Sequence, residues 1–481
     1  MNENTSVTTD PKEIRKWIDS QEYKELNFKR EALTINPPKA CQPLGAIFAA
    51  AGFEGCLPYV HGSQGCTAYF RNNLSRHFRE PFSAVSDSMT EDAAVFGGLN
   101  NIVQGMLNAY KMYKPSMIAV CTSCMAEVIG DDLSAFIKEA KYKGVVPQDL
   151  PIPFAHTPSF AGSHITGYDN MLRSILTNLT QETTIRKEKS SKINIIPGFD
   201  PHIGNITEIK RLLDLMAVEY NILADNSEVL DSPLTGEFNM YPGGTPLQDA
   251  KSAPNNLATF ALQKYSTLNT IKMIQEKWDD HPGFLMNAPM GIKATDRFIL
   301  DVSKATGVEP TPELAAQRGK AVDAMTDAHQ YIHGKRFAVF GDPDEIYGIV
   351  SFLLEMGGEP IHVLSGTGSK LFKKEMQELL DSSPYGAGAT LYAGKDLWHM
   401  RSLLMTDPVD MLIGDSHGKW IARDANIPLV RIGYPIFDRV NLHRYPVIGY
   451  QGAINMVSWI VNTFLEEVDR TSDDGHFELL R

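Results

Sequence analysis

Short runs of apolar residues alternate with longer segments of helical periodicity through most of this chain. The runs have few polar positions, as expected of strands that are buried on both faces of a sheet. Segments with helical spacing, for example Glu345–Met356, separate several of them. This alternation predicts parallel sheets covered by helices, the α/β fold class. The runs that we interpret as strands are Ser116–Cys121, Ile193–Pro197, Arg336–Phe340, Ile361–Leu364, Ala389–Tyr392, Asp410–Ile413 and Pro428–Ile432.

The pattern falls into blocks, which we expect to be three Rossmann-like domains with mostly parallel sheets flanked by helices. We predict an N-terminal domain over residues 1–190, a middle domain over 191–330 and a C-terminal domain over 331–481, whose last helices pack back. Within them we predict a helix around Trp17–Leu33, helical structure over Thr90–Tyr113 and a surface loop over 240–260. No Walker A or G-x-G-x-x-G sequence follows a strand, so the nucleotide-binding signature is missing.

The composition narrows the classes of partner. The 481 residues carry a formal net charge of −13, which argues against nucleic acid and against an anionic membrane surface as partners. The N-terminus has no apolar signal-peptide core, and no stretch approaches about 18 consecutive apolar residues. We therefore expect a cytoplasmic protein whose partners are proteins or small molecules.

All five cysteines lie in the first quarter of the chain, at Cys41, Cys56, Cys66, Cys121 and Cys124. Disulfides are rare in the cytoplasm, so clustered thiols there favour metal binding or catalysis. Cys121 and Cys124 could form a redox pair, although such a pair normally opens a helix after the first strand of a small domain. A four-cysteine zinc site would need a second C-x-x-C, and the ferredoxin run for a [4Fe–4S] cluster is absent.

The surroundings of the cysteines divide them into two groups. Cys41, Cys66 and Cys124 lie on Gly- or Pro-rich turns or at a strand end, where backbone N–H groups can point at cluster sulfides. Cys56 and Cys121 lie within apolar runs and are predicted to be core residues. Three loop thiols without a fourth suggest an incomplete cluster site, with the missing ligands on another chain. The alternative is that these thiols are buried only for packing.

A series of distinctive motifs surrounds and follows these cysteines. In the first half they are Cys41–Ala46, Gly55–Pro58, His61–Cys66, Ser75–Pro81, Thr90–Gly98, Ile118–Cys124, Gly130–Asp132 and His156–Phe160. In the second half they are Val322–Asp327, His333–Arg336, Gly341–Asp344, Gly394–His399, Arg431–Asp438 and the ending Leu479–Arg481. With these motifs the chain resembles the β chains of nitrogenase molybdenum–iron proteins over nearly its whole length.

The resemblance implies an electron-relay subunit of an oxidoreductase. The β-chain ligands of the [8Fe–7S] P-cluster fall on Cys41, Cys66 and Cys124, and a serine that binds a cluster iron on oxidation falls on Ser159. The α chain of an α2β2 heterotetramer would supply the other ligands and hold the iron–molybdenum cofactor, where N2 is reduced to ammonia. A dimeric iron protein would deliver the electrons and hydrolyse MgATP on its own subunits.

The resemblance also implies two surface sites. Phe96 matches an aromatic residue on the face that docks the iron protein. Glu80 of one β chain, with Asp323 and Asp327 of a second β chain, matches a mononuclear site for a divalent cation, iron or calcium. Residues four apart on a helix share a face, and hard cations prefer carboxylate oxygens. Two solvated acids on a helix surface are the alternative.

Other functions stay open at this point. A cofactor-assembly scaffold subunit and the corresponding subunit of light-independent protochlorophyllide reductase would share the fold. The reductase usually replaces one cluster cysteine by aspartate, whereas Cys41, Cys66 and Cys124 are all present here. The complete trio together with Ser159 also argues against the scaffold. An α/β binding protein with structural thiols is the alternative from another class.

Overall fold

The strands of this protein are short, and they pair in parallel. The structure, a computed structural model, describes residues 10–186, 188–237 and 239–472, so the terminal motif Leu479–Arg481 lies outside it. The strands are β1 (Cys56–His61), β2 (Val85–Ser86), β3 (Met117–Thr122), β4 (Phe154–Ala155), β5 (Ile193–Ile196), β6 (Tyr220–Ile222), β7 (Thr259–Ala261), β8 (Gly283–Leu285), β9 (Arg336–Gly341), β10 (Glu359–Ser365), β11 (Thr390–Ala393), β12 (Met411–Gly414) and β13 (Leu429–Arg431).

Helices connect nearly all of these strands. They are α1 (Pro11–Ile18), α2 (Gln21–Phe28), α3 (Gln42–Ala51), α4 (Gln64–Phe78), α5 (Glu91–Phe96), α6 (Leu99–Tyr113), α7 (Cys124–Ile129), α8 (Leu133–Tyr142), α9 (His164–Thr180), α10 (Ile203–Leu215), α11 (Leu247–Ser252), α12 (Leu268–Lys277), α13 (Gly291–Thr306), α14 (Pro312–Ile332), α15 (Pro343–Glu355), α16 (Lys370–Asp381), α17 (Leu397–Thr406), α18 (Lys419–Ala425) and α19 (Gly449–Thr471). Among the described helices none combines the length and apolar character needed to cross a membrane.

In the described part of the chain the strands form three sheets, which confirms the predicted α/β class. Their strand orders are β2-β1-β3-β4, β6-β5-β7-β8 and β11-β10-β9-β12-β13. The three sheets follow the three blocks of the sequence in order. Position 190 lies between β4 and β5, and position 330 lies in the last turn of α14. The domain boundaries near these positions stay predictions.

The first two sheets belong to one compact unit, Lys39–Ala324 with Pro435–Asn455. In the first sheet β1 and β3 are the central strands, and their register runs from Cys56 opposite Met117 to His61 opposite Thr122. Helices α3 and α9 pack together and cover one face. On the other face α6 and α8 pack on the sheet through a core of Leu57, Tyr59, Ile102, Met106, Ile118, Val120 and Ile137.

The third sheet belongs to a second compact unit, Met1–Pro38 with Met325–Tyr434 and Met456–Arg481. Helices α17 and α18 pack on it through buried residues that include Ala338, Phe340, Leu364, Met400, Leu403 and Leu412. The helix α2 is fastened to α17 in this unit. The Asn27 side-chain amide donates to the Trp398 carbonyl at 3.1 Å, and Arg30 pairs with the buried Asp396 at 2.6 Å.

Three predicted elements differ from the observed ones. The single helix predicted around Trp17–Leu33 is wrong: α1 and α2 replace it, because the Ser20 hydroxyl accepts from the Tyr23 N–H and starts a new helix. The helical stretch over Thr90–Tyr113 is interrupted at Gly97, where φ is 86°. The surface loop predicted over 240–260 contains α11 and the start of β7, so that prediction is also wrong in part.

Candidate metal centre

Three half-buried cysteines lie at the beginnings of helices. Cys41 is the N-cap residue of α3, Cys66 lies in the first turn of α4, and Cys124 is the first residue of α7. The N-cap residues of these helices make no side-chain hydrogen bond to the helix. In α3 the Ser159 hydroxyl accepts from the first N–H, that of Gln42, instead. The helix dipole stabilises negative charge near such helix starts.

Sheet topology brings Cys66 and Cys124 to one place. The strand order β2-β1-β3-β4 reverses between β1 and β3, and in open α/β sheets a ligand crevice forms where the order reverses. The loops that leave β1 and β3 there lead directly to Cys66 in α4 and to Cys124 in α7. The Ser123 N–H donates to the His61 carbonyl at 2.9 Å and joins the two loops. A Cβ on Gly62 would lie 1.9 Å from the Ser123 hydroxyl, so the approach requires glycine.

Packing of α3 on α9 places Cys41 beside Ser159. The His164 N–H donates to the Ala40 carbonyl at 3.0 Å, and the Ala40 N–H donates to His164 Nδ1 at 3.0 Å. The Gln42 N–H donates to the Ser159 hydroxyl at 3.3 Å. Ser159 lies in the turn after β4 and is partly exposed. The structure therefore places the Ser159 hydroxyl next to Gln42, the residue that follows Cys41.

Electrostatics show that the three thiols share one environment. Burial raises the pKa of the Cys66 thiol, the charges of Cys41 and Cys124 raise it further, and a hydrogen bond with Ser63 lowers it. A negative charge on one of these sulfurs is therefore felt by the next. Held together without a counter-cation, the three thiolates would repel one another, and bound metal ions remove that repulsion.

The other two cysteines are core residues, as predicted. Cys56 and Cys121 are buried in the central strands β1 and β3. Burial raises the pKa of the Cys121 thiol to about 12, despite a hydrogen bond with Thr157 that lowers it, and burial also raises the pKa of Cys56. Both remain neutral thiols at physiological pH, and they are unsuited to ligation because metals bind the thiolate.

The donor set fits a polynuclear cluster better than a single ion. Within the described ranges no three His, Cys, Asp or Glu side chains are arranged to hold one metal ion. A zinc ion would need its sulfur ligands at about 2.3 Å from one centre. A cluster several atoms wide instead takes widely spaced thiolates on its different irons. Cys41, Cys66 and Cys124, with the Ser159 hydroxyl nearby, are suited to one side of such a group.

Exposed apolar side chains lie on the elements that carry the thiols. Phe96, the last residue of α5, is 85% exposed and its neighbour Val95 is 75% exposed. Helix α5 packs on α7, the helix that starts at Cys124, through Met89, Ala93 and Ala126. Val128 on α7 and Phe160 beside Ser159 are exposed in the same way. Exposed apolar patches of this kind mark protein interaction surfaces.

The predicted carboxylate site would combine side chains of two β chains. Asp323 and Asp327 lie one turn apart on α14, and both are exposed. Glu80 lies 3.8 Å from the guanidinium of Arg444, which also pairs with Asp231 at 3.2 Å. The predicted site needs a second β chain, so its assembly stays a prediction.

Sequence reasoning missed a buried ion triad behind the cysteine loops. His61 at the end of β1 contacts Asp87 through Nδ1 and Asp131 through Nε2, the latter at 2.9 Å. The two aspartates are 26 and 70 residues away from the histidine in sequence. The only local signal was a histidine at the end of a strand, directly before a glycine turn, and it carries little information without the tertiary contacts.

Comparisons with known proteins agree with this arrangement. A family described as nitrogenase component 1 type oxidoreductase matches residues 41–465. The nitrogenase molybdenum-iron protein beta chain of Nostoc sp. is 57% identical over 473 residues, which cover 97% of this chain and 92% of that protein. The protein of the same name from Azotobacter vinelandii is 53% identical over 466 residues, covering 95% of this chain and 89% of the relative.

Solved structures give the same result. A chain of "Nitrogenase Cp1 at pH 6.5" superposes with a TM-score of 0.90 at 41% identity, covering 94% of this chain and 98% of the other. A chain of "Nitrogenase Cp1 at pH 5" superposes with a TM-score of 0.70 at 17% identity, a likeness that concerns the fold alone.

Proposed function

Because the chain belongs to the nitrogenase component 1 type oxidoreductases, we propose that it is the β subunit of a molybdenum–iron protein and relays electrons from an iron protein. In this proposal Cys41, Cys66 and Cys124 hold one half of an [8Fe–7S] P-cluster, with Ser159 beside it. The α chain holds the other half, together with the iron–molybdenum cofactor at which N2 is reduced to ammonia. Relatives called molybdenum-iron protein beta chain at more than half identity favour this function over the assembly scaffold and the protochlorophyllide reductase subunit.

One observation carries the proposal: three interacting, half-buried thiols at helix starts, on a surface that provides no fourth thiol. Cys56 and Cys121 are buried in strands and cannot complete the set. A second chain must therefore supply the remaining ligands. The free thiols also suit a reducing compartment, and we assign the protein to the cytoplasm on that basis.

The residues of this chain would tune the cluster in three ways. The N–H groups at the start of α4 have no side-chain cap and can donate to sulfides. Burial limits solvent access to Cys66, which affects reduction potential. The Ser159 hydroxyl offers a harder oxygen donor near Cys41. When bound, the cluster supplies one-electron storage and transfer.

The partners follow from the exposed surfaces. Phe96 and Val95 are suited to docking an iron protein dimer. In this proposal the iron protein hydrolyses MgATP on its own subunits, which is consistent with the missing Walker A motif in this sequence. Val128 and Phe160, close to the thiols along the chain, are suited to the α chain. Two such αβ pairs give an α2β2 tetramer, in which Glu80 of one β chain and Asp323 and Asp327 of the other would bind iron or calcium.

The test is anaerobic co-purification of this chain with a molybdenum–iron protein α chain from the same organism, followed by iron and molybdenum analysis and EPR of the oxidised protein. We expect both metals, a P-cluster signal, and N2 and proton reduction when iron protein and MgATP are added. Iron without molybdenum would instead indicate a protochlorophyllide-reductase-type subunit. A chain without iron in a stable complex would contradict the proposal.

A further inference from the structure

The ion triad of His61, Asp87 and Asp131 lies between the proposed docking turn and the proposed cluster loops. All three side chains are almost completely buried. His61 uses both ring nitrogens, Nδ1 toward Asp87 and Nε2 toward Asp131 at 2.9 Å. The Phe136 ring lies edge-on to the imidazole at 6.1 Å between centroids. The triad therefore has one fixed arrangement.

On one side the triad fixes the two cysteine loops. Asp87 accepts from the Gly62 N–H at 2.9 Å, at the turn that leads from β1 to Cys66. The His61 carbonyl accepts from the Ser123 N–H at 2.9 Å, directly before Cys124. A displacement of His61 would therefore move the backbone on which both thiols are mounted.

On the other side the triad fixes the turn that follows Phe96. Asp131 accepts from the Gly98 N–H through both oxygens at 3.2 Å. Gly98 also lies directly against the imidazole, since a Cβ there would be 2.5 Å from His61 Cε1. This contact explains why the helical stretch breaks at Gly97 and Gly98. The docking turn rests on the same ring that fixes the cysteine loops.

The charges of the triad make its energy depend on the positions of the three side chains. Burial lowers the pKa of His61, but the hydrogen bonds and charges of Asp87 and then Asp131 raise it by more, so the imidazolium form is favoured. Tyr59 also feels the Asp87 charge, which raises its pKa in addition to burial. Buried ions lose solvation, which is recovered only while both carboxylates stay in place. Separating either carboxylate from the imidazolium is therefore costly.

We infer that His61, Asp87 and Asp131 form a positioning device that transmits iron-protein docking at Phe96 to the loops carrying Cys66 and Cys124. The inference rests on the proposed function. A partner that displaces the Gly97–Gly98 turn moves Asp131 and the imidazole with it, and the same ring moves Gly62 and Ser123. The device changes the rate at which electrons enter the site and leaves the ligands themselves unchanged.

The test compares two variants with a matched control in the α2β2 protein. Asp131→Asn removes one charge of the triad, and Gly98→Ala forces the docking turn away from the imidazole without removing any charge. The control is Asp169→Asn, another buried carboxylate, which accepts from the Asn269 and Thr270 N–H groups at 2.7 and 2.8 Å. Stopped-flow absorbance measures electron transfer from iron protein with MgATP, while EPR and iron analysis report the cluster.

We expect both triad variants to keep wild-type iron content and the EPR signal of the oxidised cluster. Their electron-transfer rate at saturating iron protein should fall about fivefold or more, the lower range of coupling between two sites. The KM for iron protein should change less, because Phe96 is intact, and the control should match wild type.

Wild-type rates in both variants would overturn the inference. So would loss of iron from both variants but not from the control, because the triad would then be purely structural. Wild-type protein without iron would instead overturn the proposed function, and with it this inference.

Discussion

The first and third sheets use the same position in their topology for opposite purposes. In the first sheet the crevice between β1 and β3 presents half-buried thiols, and α4 and α7 begin there without a side-chain hydrogen bond from their N-cap residues. In the third sheet the strand order reverses between β9 and β12. There the buried Asp415 accepts from the His417 N–H at 2.7 Å and closes its own turn. The fold offers a crevice in both sheets, and the loop residues decide whether a ligand can use it.

The crevice of the second sheet is closed in the same way as that of the third. Its order reverses between β5 and β7, and the loop after β5 carries the buried Asp200. Asp200 accepts from the His202 N–H at 2.8 Å and from the Asn205 amide at 2.9 Å. The Asp200 carboxylate is held by its own loop, whereas the thiols of the first sheet are only half-buried and remain accessible to a ligand. Electron relay is therefore expected at the first sheet alone.

The largest effect should come from removing a thiol at the open crevice. Cys66→Ala deletes one proposed ligand, so we expect loss of the P-cluster EPR signal and a fall in N2-reducing activity of at least about 100-fold, beyond what loss of an outer-shell partner costs. Cys121→Ala is the control, because that thiol is buried in β3. It should lower stability and leave iron content unchanged. Full iron content in Cys66→Ala would remove the distinction between the two groups of thiols.

The buried carboxylate that closes the crevice of the second sheet should make the free energy of unfolding depend on pH. Burial raises the pKa of Asp200 to about 7, against hydrogen bonds from Asn205 and His202 that lower it. Between about pH 4 and 7 the folded carboxyl keeps a proton that the unfolded chain has lost. Its contribution to the free energy of unfolding therefore falls as pH rises, by about 4 kcal/mol at most, and is constant above pH 7.

Asp200→Asn removes this decline. His202, whose pKa burial lowers to about 4, has the opposite sign, because its unfolded form binds the extra proton below about pH 6.5. Urea denaturation from pH 4.5 to 7 should therefore show the variant gaining stability relative to wild type as pH rises. The exposed Asp149→Asn variant should follow wild type. A parallel pH profile for Asp200→Asn would mean that Asp200 is ionised in the fold.

Next in size is the docking surface beside the open crevice. Phe96→Ala removes an aromatic side chain that is 85% exposed. Such anchors contribute about 2 kcal/mol or more when a partner covers them, so the KM for iron protein should rise by on the order of 30-fold. Tyr142→Ala on α8 is the matched control, since it is equally exposed. Activity assays over a range of iron-protein concentrations distinguish them, and equal KM values would exclude Phe96 from the interface.

Sequence patterns predicted the third sheet better than the first, for a physical reason. Strands such as β9 and β12 are apolar on both faces, so a continuous apolar run marks them. Strand β1 contains Pro58 and ends in the polar His61, so no pattern identified it, although all of its residues are buried. Its polar end becomes understandable only when Asp87 and Asp131 are brought to it by tertiary structure.

The site was predictable in its residue types but not in its arrangement. The crowding of cysteines and the turns around Cys41, Cys66 and Cys124 indicated an incomplete cluster. The contact of Ser159 with the backbone of Gln42 depends on α3 packing against α9, more than a hundred residues away in sequence. Likewise, the contact of Gly98 with the His61 imidazole could not be predicted from the local sequence.

The smallest expected effect distinguishes two serines, Ser159 beside the thiols and Ser369 at the start of α16. Ser159→Ala removes the acceptor of the Gln42 N–H, and Ser369→Ala removes the cap of α16 that accepts from the Phe372 N–H. Each should lower the free energy of unfolding by about 1 kcal/mol. Iron content should be normal in both, but the EPR spectrum of the oxidised cluster should change only in Ser159→Ala, since only this hydroxyl borders the thiols. Identical spectra would reduce Ser159 to a hydrogen-bond acceptor like Ser369, and the open crevice would then act through its thiols alone.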